Sequence, residues 1–123
     1  MPSLHDVAVD FLQRVAAGQA RAAFERYVAA DFRHHNLHFA GDAASLMTAM
    51  EANAREFPEK RLTVHQVITE GDRVVVLSHV RHIPTEPGFA LVHIFRFQSD
   101  RIVELWDLAQ PIPPNSPNEH GPF

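Results

Sequence analysis

Phe89 to Gln110 reads FALVHIFRFQ, then SDR, then IVELWDLAQ. Val, Ile, Leu and Phe dominate both halves and a short polar turn divides them, so the stretch reads as two antiparallel strands joined in a hairpin. Loop length then decides the register. A three-residue loop of Ser99, Asp100 and Arg101 sets Arg96 opposite Glu104, Phe97 opposite Val103 and Phe95 opposite Leu105. These are the charge and apolar matches that a sheet rewards, and a two-residue loop would shift every pair by one. The three-residue loop is therefore the expectation, and it sets His93 directly opposite Asp107. Because side chains alternate, His93, Phe95, Phe97, Val103, Leu105 and Asp107 share one face, and Val92, Ile94, Arg96, Glu104, Trp106 and Leu108 share the other. One face becomes an apolar wall with an imidazole and a carboxylate at one end.

Upstream of the hairpin the same alternation continues. Arg61 to Thr69 (RLTVHQVIT) and Arg73 to Ile83 (RVVVLSHVRHI) read as strands around a Glu70-Gly71-Asp72 turn, and Pro84 to Gly88 reads as another turn. Before Lys60 the period is helical. Ser3 is a candidate N-cap for a helix bearing Leu4, Val7, Ala8, Phe11, Leu12 and Val15 on one face before Gly18. A shorter helix follows over Gln19 to Val28, and a third runs from about Asp42 to Phe57, where Pro58 stops it. Between them Asp31 to Phe39 (DFRHHNLHF) loses periodicity and reads as a loop or short strand. Pro111 to Phe123 contains five prolines and reads as an extended tail. Three helices and a four-strand meander make a single α+β domain over residues 1–123, with the helices on one face of a curved, mainly antiparallel sheet.

Composition narrows the function classes. The chain has 123 residues, no cysteine and a formal net charge of −4. That length suits one domain with a real core, and a disulfide framework or thiolate metal site is excluded. The acidic balance without a Lys/Arg cluster argues against nucleic acid or anionic membrane as partner. No apolar run approaches the ~20 residues needed to cross a bilayer. Met1-Pro2-Ser3 runs straight into an amphipathic pattern, so no signal peptide is expected and a cytoplasmic location is. Nine histidines stand out. None shows the helical i, i+4 spacing of a zinc protease, and neither a metal nor another cofactor is expected.

Tyr27 to Asn36 (YVAADFRHHN), Glu70 to Val76 (EGDRVVV) and Ile94 to Pro111 (IFRFQSDRIVELWDLAQP) together resemble the SnoaL-like polyketide cyclases of the nuclear transport factor 2-like (NTF2-like) superfamily. The resemblance spans nearly the whole chain and implies a cone-shaped half-barrel around an apolar pocket, usually a homodimer. That one fold serves cyclases, isomerases, dehydratases, hydrolases and proteins without chemistry. In the polyketide cyclases an acid on the last strand is the general base for an intramolecular aldol closure, with a histidine on the preceding strand. Those positions here are Asp107 and His93. Many relatives resemble VDIFR where this chain has Val92-His93-Ile94-Phe95-Arg96. After the His-Asn pair the family usually continues with proline, whereas Leu37 stands here.

The resemblance thus implies a cofactor-independent enzyme that removes a proton next to a carbonyl, for aldol cyclisation or isomerisation of a small carbonyl compound. A carboxylate facing an apolar cavity loses hydration and becomes a stronger base, which suits Asp107; the bland reading is a hydrogen-bonded strand end. His93 would orient that base or stabilise the enolate oxygen, or would be an ordinary structural histidine. His35 and Asn36 would position the ligand at the mouth, or merely brace their loop; His34 and His38 would point to solvent. Tyr27 would reach the pocket with its hydroxyl or pack beneath the sheet. Phe95 and Leu105 would supply apolar wall. His79 and His82 differ in parity, so at most one can face the pocket. The opposite hairpin face, with Val92, Ile94, Trp106 and Leu108, would form a homodimer interface or be covered by the tail. The alternative function is a small-molecule-binding dimer of this fold without turnover.

Overall fold

The computed structural model describes residues 2–123. Its elements are α1 (Leu4–Ala16), α2 (Ala20–Tyr27), β1 (Val28–His34), α3 (Ala43–Glu56), β2 (Arg61–Glu70), β3 (Arg73–Arg81), β4 (Phe89–Gln98) and β5 (Arg101–Pro111). Ser3 caps α1 by accepting the Asp6 N–H at 3.1 Å, and Asp42 caps α3 by accepting the Ser45 N–H at 2.9 Å. The sheet has five strands in the order β1-β5-β4-β3-β2. The meander β2 to β5 is antiparallel, and β1 joins its edge parallel to β5. This is an α+β architecture of three helices on one face of a curved, mostly antiparallel sheet.

The segment without periodicity supplies the fifth strand. It begins at Val28, which the helical spacing had placed at the end of α2, and reaches His34 beside Leu105. β1 escapes the alternation rule because Val28 and Ala29 are both half-buried and Ala30 and Asp31 both exposed; only Phe32 and His34 bury fully.

The hairpin register differs near its turn from the three-residue expectation. Ser99 and Asp100 form a two-residue turn with φ of 51° and 64°, the pattern whose twist matches that of the flanking strands. A bulge after Arg96 and Glu104 then restores the offset, so Phe97 pairs with Ile102 while Arg96 still pairs with Glu104 and His93 with Asp107. Consequently Ile102, not Val103, stands beside Phe97 in the main core cluster, while Val103 is buried at the bulge. A second irregularity at His65 interrupts β2; bulges of this kind bend and twist a sheet. Non-glycine residues are strained at positive φ. The Ser99→Asn, Asp100→Gly double variant is expected to raise stability by about 1 kcal/mol, read as a higher urea midpoint.

The core lies between α1 and the inner sheet face. Phe11 and Phe95 are fully buried, their rings edge to face at 5.8 Å, and Phe24 packs on Phe11 at 5.3 Å. Removing either of the first two rings would cost about 3–5 kcal/mol. At the far end of β3 the chain turns back so closely that a Cβ on Gly88 would lie 2.0 Å from the Val80 carbonyl oxygen. Pro111, expected to begin the tail, ends β5 opposite Phe89, and the Ile112 N–H donates to the Gly88 carbonyl at 3.0 Å; at the far end Phe123 stacks on His65 at 4.1 Å and lies 5.1 Å from His79, on the outer side of β2 and β3. No helix among the described residues is long and apolar enough to cross a membrane.

Candidate functional site

Core packing ends before the open end of the sheet, and a cavity of about 340 Å³ begins there. Leu12 and Val15 of α1 form one wall, Leu46, Ala49 and Met50 of α3 another, and inward residues of the sheet such as Leu62, Val80 and Leu91 the third. That volume lies at the small end of the range for ligand sites.

Asp107 and His93 enter this cavity together because they are cross-strand partners on the inner face of β5 and β4. His93 Nε2 approaches Asp107 Oδ1 to 3.4 Å, and the two side chains are 6% and 15% exposed. Asn36 Nδ2 donates to the other carboxylate oxygen at 2.9 Å. The parallel pairing of β1 with β5 explains that contact. His34 sits beside Leu105, so two residues further the chain carries Asn36 alongside Asp107. Asn36 Oδ1 in turn accepts the His38 N–H at 3.0 Å, which fixes the amide.

Burial pushes His93 below the ordinary histidine range; the Lys60 charge adds to this and the Asp107 charge opposes it. The imidazole is therefore neutral near pH 7. Its Nδ1 is buried without a partner, which places the single ring proton on Nε2, facing the carboxylate. Asp107 thus accepts one hydrogen bond, from Asn36, lies against the His93 ring at a longer 3.4 Å, and borders the cavity.

The other predicted site residues lie elsewhere. His35 alternates to the outer face, where its ring stacks on Trp106 at 4.9 Å and its Nε2 donates to Glu104 at 2.6 Å; the His-Asn pair is split by the pleat. Tyr27 is buried with its hydroxyl donating to Asp10, which also accepts from Arg14 Nε at 2.7 Å. It therefore packs beneath the sheet and does not line the cavity. Phe95 and Leu105 are fully buried in the core one step behind His93 and Asp107, and do not line it either. His34, expected at the surface, is buried; its Nε2 donates to the Ala40 carbonyl at 2.7 Å and its Nδ1 accepts the Asn36 N–H at 3.1 Å. His38 is solvent-exposed but borders the cavity mouth with Phe39. Leu37, standing where proline is usual, is 96% exposed.

On the outer face Glu104 gathers charge. Besides His35 it accepts from Arg33 Nε and Arg96 Nε, each at 3.0 Å. These bonds hold its carboxyl well below the ordinary range, at about 2, with the His35 bond as the largest cause.

The SnoaL-like domain profile matches residues 8–105, most of the chain and nearly all of its folded elements. The chain belongs to the SnoaL-like domain family. No curated protein matches it. Among solved structures it is similar to a SnoaL-like polyketide cyclase from Agrobacterium tumefaciens at 13% identity and a TM-score of 0.71, covering 89% of this chain and 93% of that one. Wild-type IdmH from Streptomyces antibioticus, a candidate polyketide cyclase, aligns at 15% identity and a TM-score of 0.74 over 89% and 93% of the two chains. An NTF2-like protein of unknown function from Cytophaga hutchinsonii aligns at 16% identity and 0.71 over 90% and 93%. At these identities the likeness establishes the NTF2-like fold.

Three polar residues of this SnoaL-like cavity escaped sequence reasoning as a group: Lys60, Asn53 and His82. Each carried a signal. Lys60 precedes Leu62 and Val64 at the inward parity of β2, and Asn53 continues the apolar stripe of Leu46 and Met50 on α3. His82 follows β3 at the parity of Val80, opposite to His79, so of that pair His82 is the one that faces inward.

Proposed function

We propose that this chain is a cofactor-independent enzyme that removes a proton from carbon next to a carbonyl, with Asp107 as base. The observation that carries the reading is the Asp107 carboxylate in an apolar cavity, held by Asn36 and approached by His93. As the C–H bond breaks, its proton passes to Asp107 and its electron pair becomes the enolate. That enolate either attacks a second carbonyl of the same molecule, closing a ring as the new alkoxide takes the proton back from Asp107, or is reprotonated by Asp107 at another carbon. The His93 Nε2–H faces the carboxylate at 3.4 Å and helps to hold the base in place. Asn36 acts by holding the carboxylate in one orientation, so that a lone pair meets the proton on the substrate carbon. His35, Tyr27, Phe95 and Leu105 take no direct part in this scheme.

The test is hydrogen–deuterium exchange at the α-carbon of ketones, β-keto esters and aromatic polyketide-like esters, followed by mass spectrometry. Accelerated exchange by the wild type supports the reading. If a ligand is shown independently to bind in the cavity and none of its α-protons exchanges, a binding protein without turnover becomes the better description.

We also propose a homodimer through the outer face of β4 and β5. Val92, Ile94 and Trp106 are half-buried there and Leu108 is 62% exposed, while Phe123 docks over β2 and β3 and leaves this side open. A self-complementary apolar patch framed by charges suits a two-fold contact. Leu108→Lys is expected to convert a dimer to a monomer in sedimentation velocity without altering the fold; a wild type that sediments as a monomer at all concentrations would refute it.

A further inference from the structure

Lys60 places an ammonium group in the wall of the Asp107 cavity, at the end formed by α3 and the start of β2. Its hydrogen bond goes to a neutral acceptor, the Asn53 side-chain oxygen, at 2.5 Å. Among the described residues no carboxylate pairs with it, although arginines of the same molecule pair with Asp10, Glu51 and Glu104. A partly buried ammonium with a single amide acceptor keeps two N–H donors and its whole charge unanswered. Burial pushes it below the ordinary lysine range, and the Asp107 charge across the cavity opposes that shift.

Two more groups face the same space. His82 lines the cavity with its ring edge-on to Phe57 and Phe89, and burial, then the Lys60 charge, push it below the ordinary histidine range against the opposing charges of Glu86 and Glu56. The Asn53 amide nitrogen makes no hydrogen bond among the described residues, its oxygen being taken by Lys60. The lining thus sets an ammonium, an amide and an imidazole at the start of β2, on α3 and at the end of β3, and a carboxylate on β5 at the opposite side of those strands.

We infer that Lys60, Asn53 and His82 form an anion subsite, so that the ligand carries a carboxylate or other anionic oxygen in addition to its carbonyl. The inference rests on the proposed reaction only for which end of the ligand reacts. Repulsion from Asp107 keeps the anionic group away from the base and sends it to Lys60, which leaves the carbonyl end beside Asp107 and His93. The substrate class is then a keto acid or an acidic phenol bearing a ketone, rather than a neutral terpenoid or steroid.

para-Acetylbenzoate and its methyl ester test this, since they share ring and ketone and differ in charge. Affinities are read from chemical-shift titrations of the wild type, Lys60→Met, Lys60→Gln and Asp107→Asn. The wild type is expected to favour the acid by about tenfold, roughly 1.4 kcal/mol. Both neutral Lys60 variants are expected to lose that preference while keeping ester affinity, and two of them guard against one folding poorly. Asp107→Asn is expected to keep or strengthen it, so loss of proton exchange and loss of anion recognition are read separately. Equal affinity of the wild type for both probes, a preference that survives in the Lys60 variants, or no binding of the acid overturns the inference.

Discussion

Asp107→Asn is expected to slow α-proton exchange by about a thousandfold, the usual scale for loss of a positioned general base. Ligand affinity should change little, because the amide fills the same volume in the same cavity. The hydrogen bonding explains a smaller second effect. In the wild type both carboxylate oxygens face donors, Asn36 Nδ2 at 2.9 Å and the His93 Nε2 at 3.4 Å. An amide presents one oxygen and one NH2 group, so either its NH2 opposes that of Asn36 or it opposes the His93 Nε2–H. Turning Asn36 over would break its bond to the His38 N–H. Moving the His93 proton to Nδ1 would restore the match but bury an N–H where no partner lies, so each arrangement costs about 1 kcal/mol of stability. Exchange by the variant at the wild-type rate would remove Asp107 from the reaction.

Glu104→Gln is expected to lower stability by about 2–3 kcal/mol near neutral pH, from weakened charge-assisted bonds to Arg33, His35 and Arg96. The exposed side of Arg33 can recover water, which keeps the loss at that level rather than higher. The pH dependence has a definite sign. The folded-state value of Glu104 is depressed from the ordinary 4.5 to about 2, so as pH falls the unfolded chain takes up the proton first. The carboxylate's contribution is complete above 4.5 and fades as pH drops through about 2. Urea unfolding of both proteins from neutral to acidic pH should therefore show a gap that narrows across that window. A gap that stays constant down to the lowest pH would mean that the Glu104 charge is not what holds the outer face together.

The same strand shows how much could be read from residues alone. Alternation in Phe89 to Gln110 was enough to pair His93 with Asp107 and Arg96 with Glu104, because cross-strand partners are local in a hairpin and only one register satisfies both charge and apolar matches. It was not enough to place the bulge. Ser99 and Asp100 carry the positive φ that makes a two-residue turn possible, yet neither residue type demands it, so the pairing of Phe97 with Ile102 rather than Val103 was invisible. The family resemblance added the candidate base and its neighbour, while the two readings of Tyr27, reaching the pocket or packing beneath the sheet, were left open because its acceptor Asp10 lies on another helix.

What the sequence determined by itself was therefore whatever depends on neighbours along the chain: helix caps, the meander, the inner and outer faces of the hairpin, and the His93–Asp107 pair. What only the tertiary structure decided depends on segments far apart in sequence. The parallel docking of β1 on β5 brings Asn36 to Asp107 and turns His35 away to Glu104, and the packing of α3 over the start of β2 brings Asn53 to Lys60. A parallel strand pair has no connecting turn to set its register. The contact between Asn53 and Lys60 likewise depends on how α3 lies against the sheet, which the helical pattern leaves open; at both places the site was settled by how distant surfaces fit, not by local pattern.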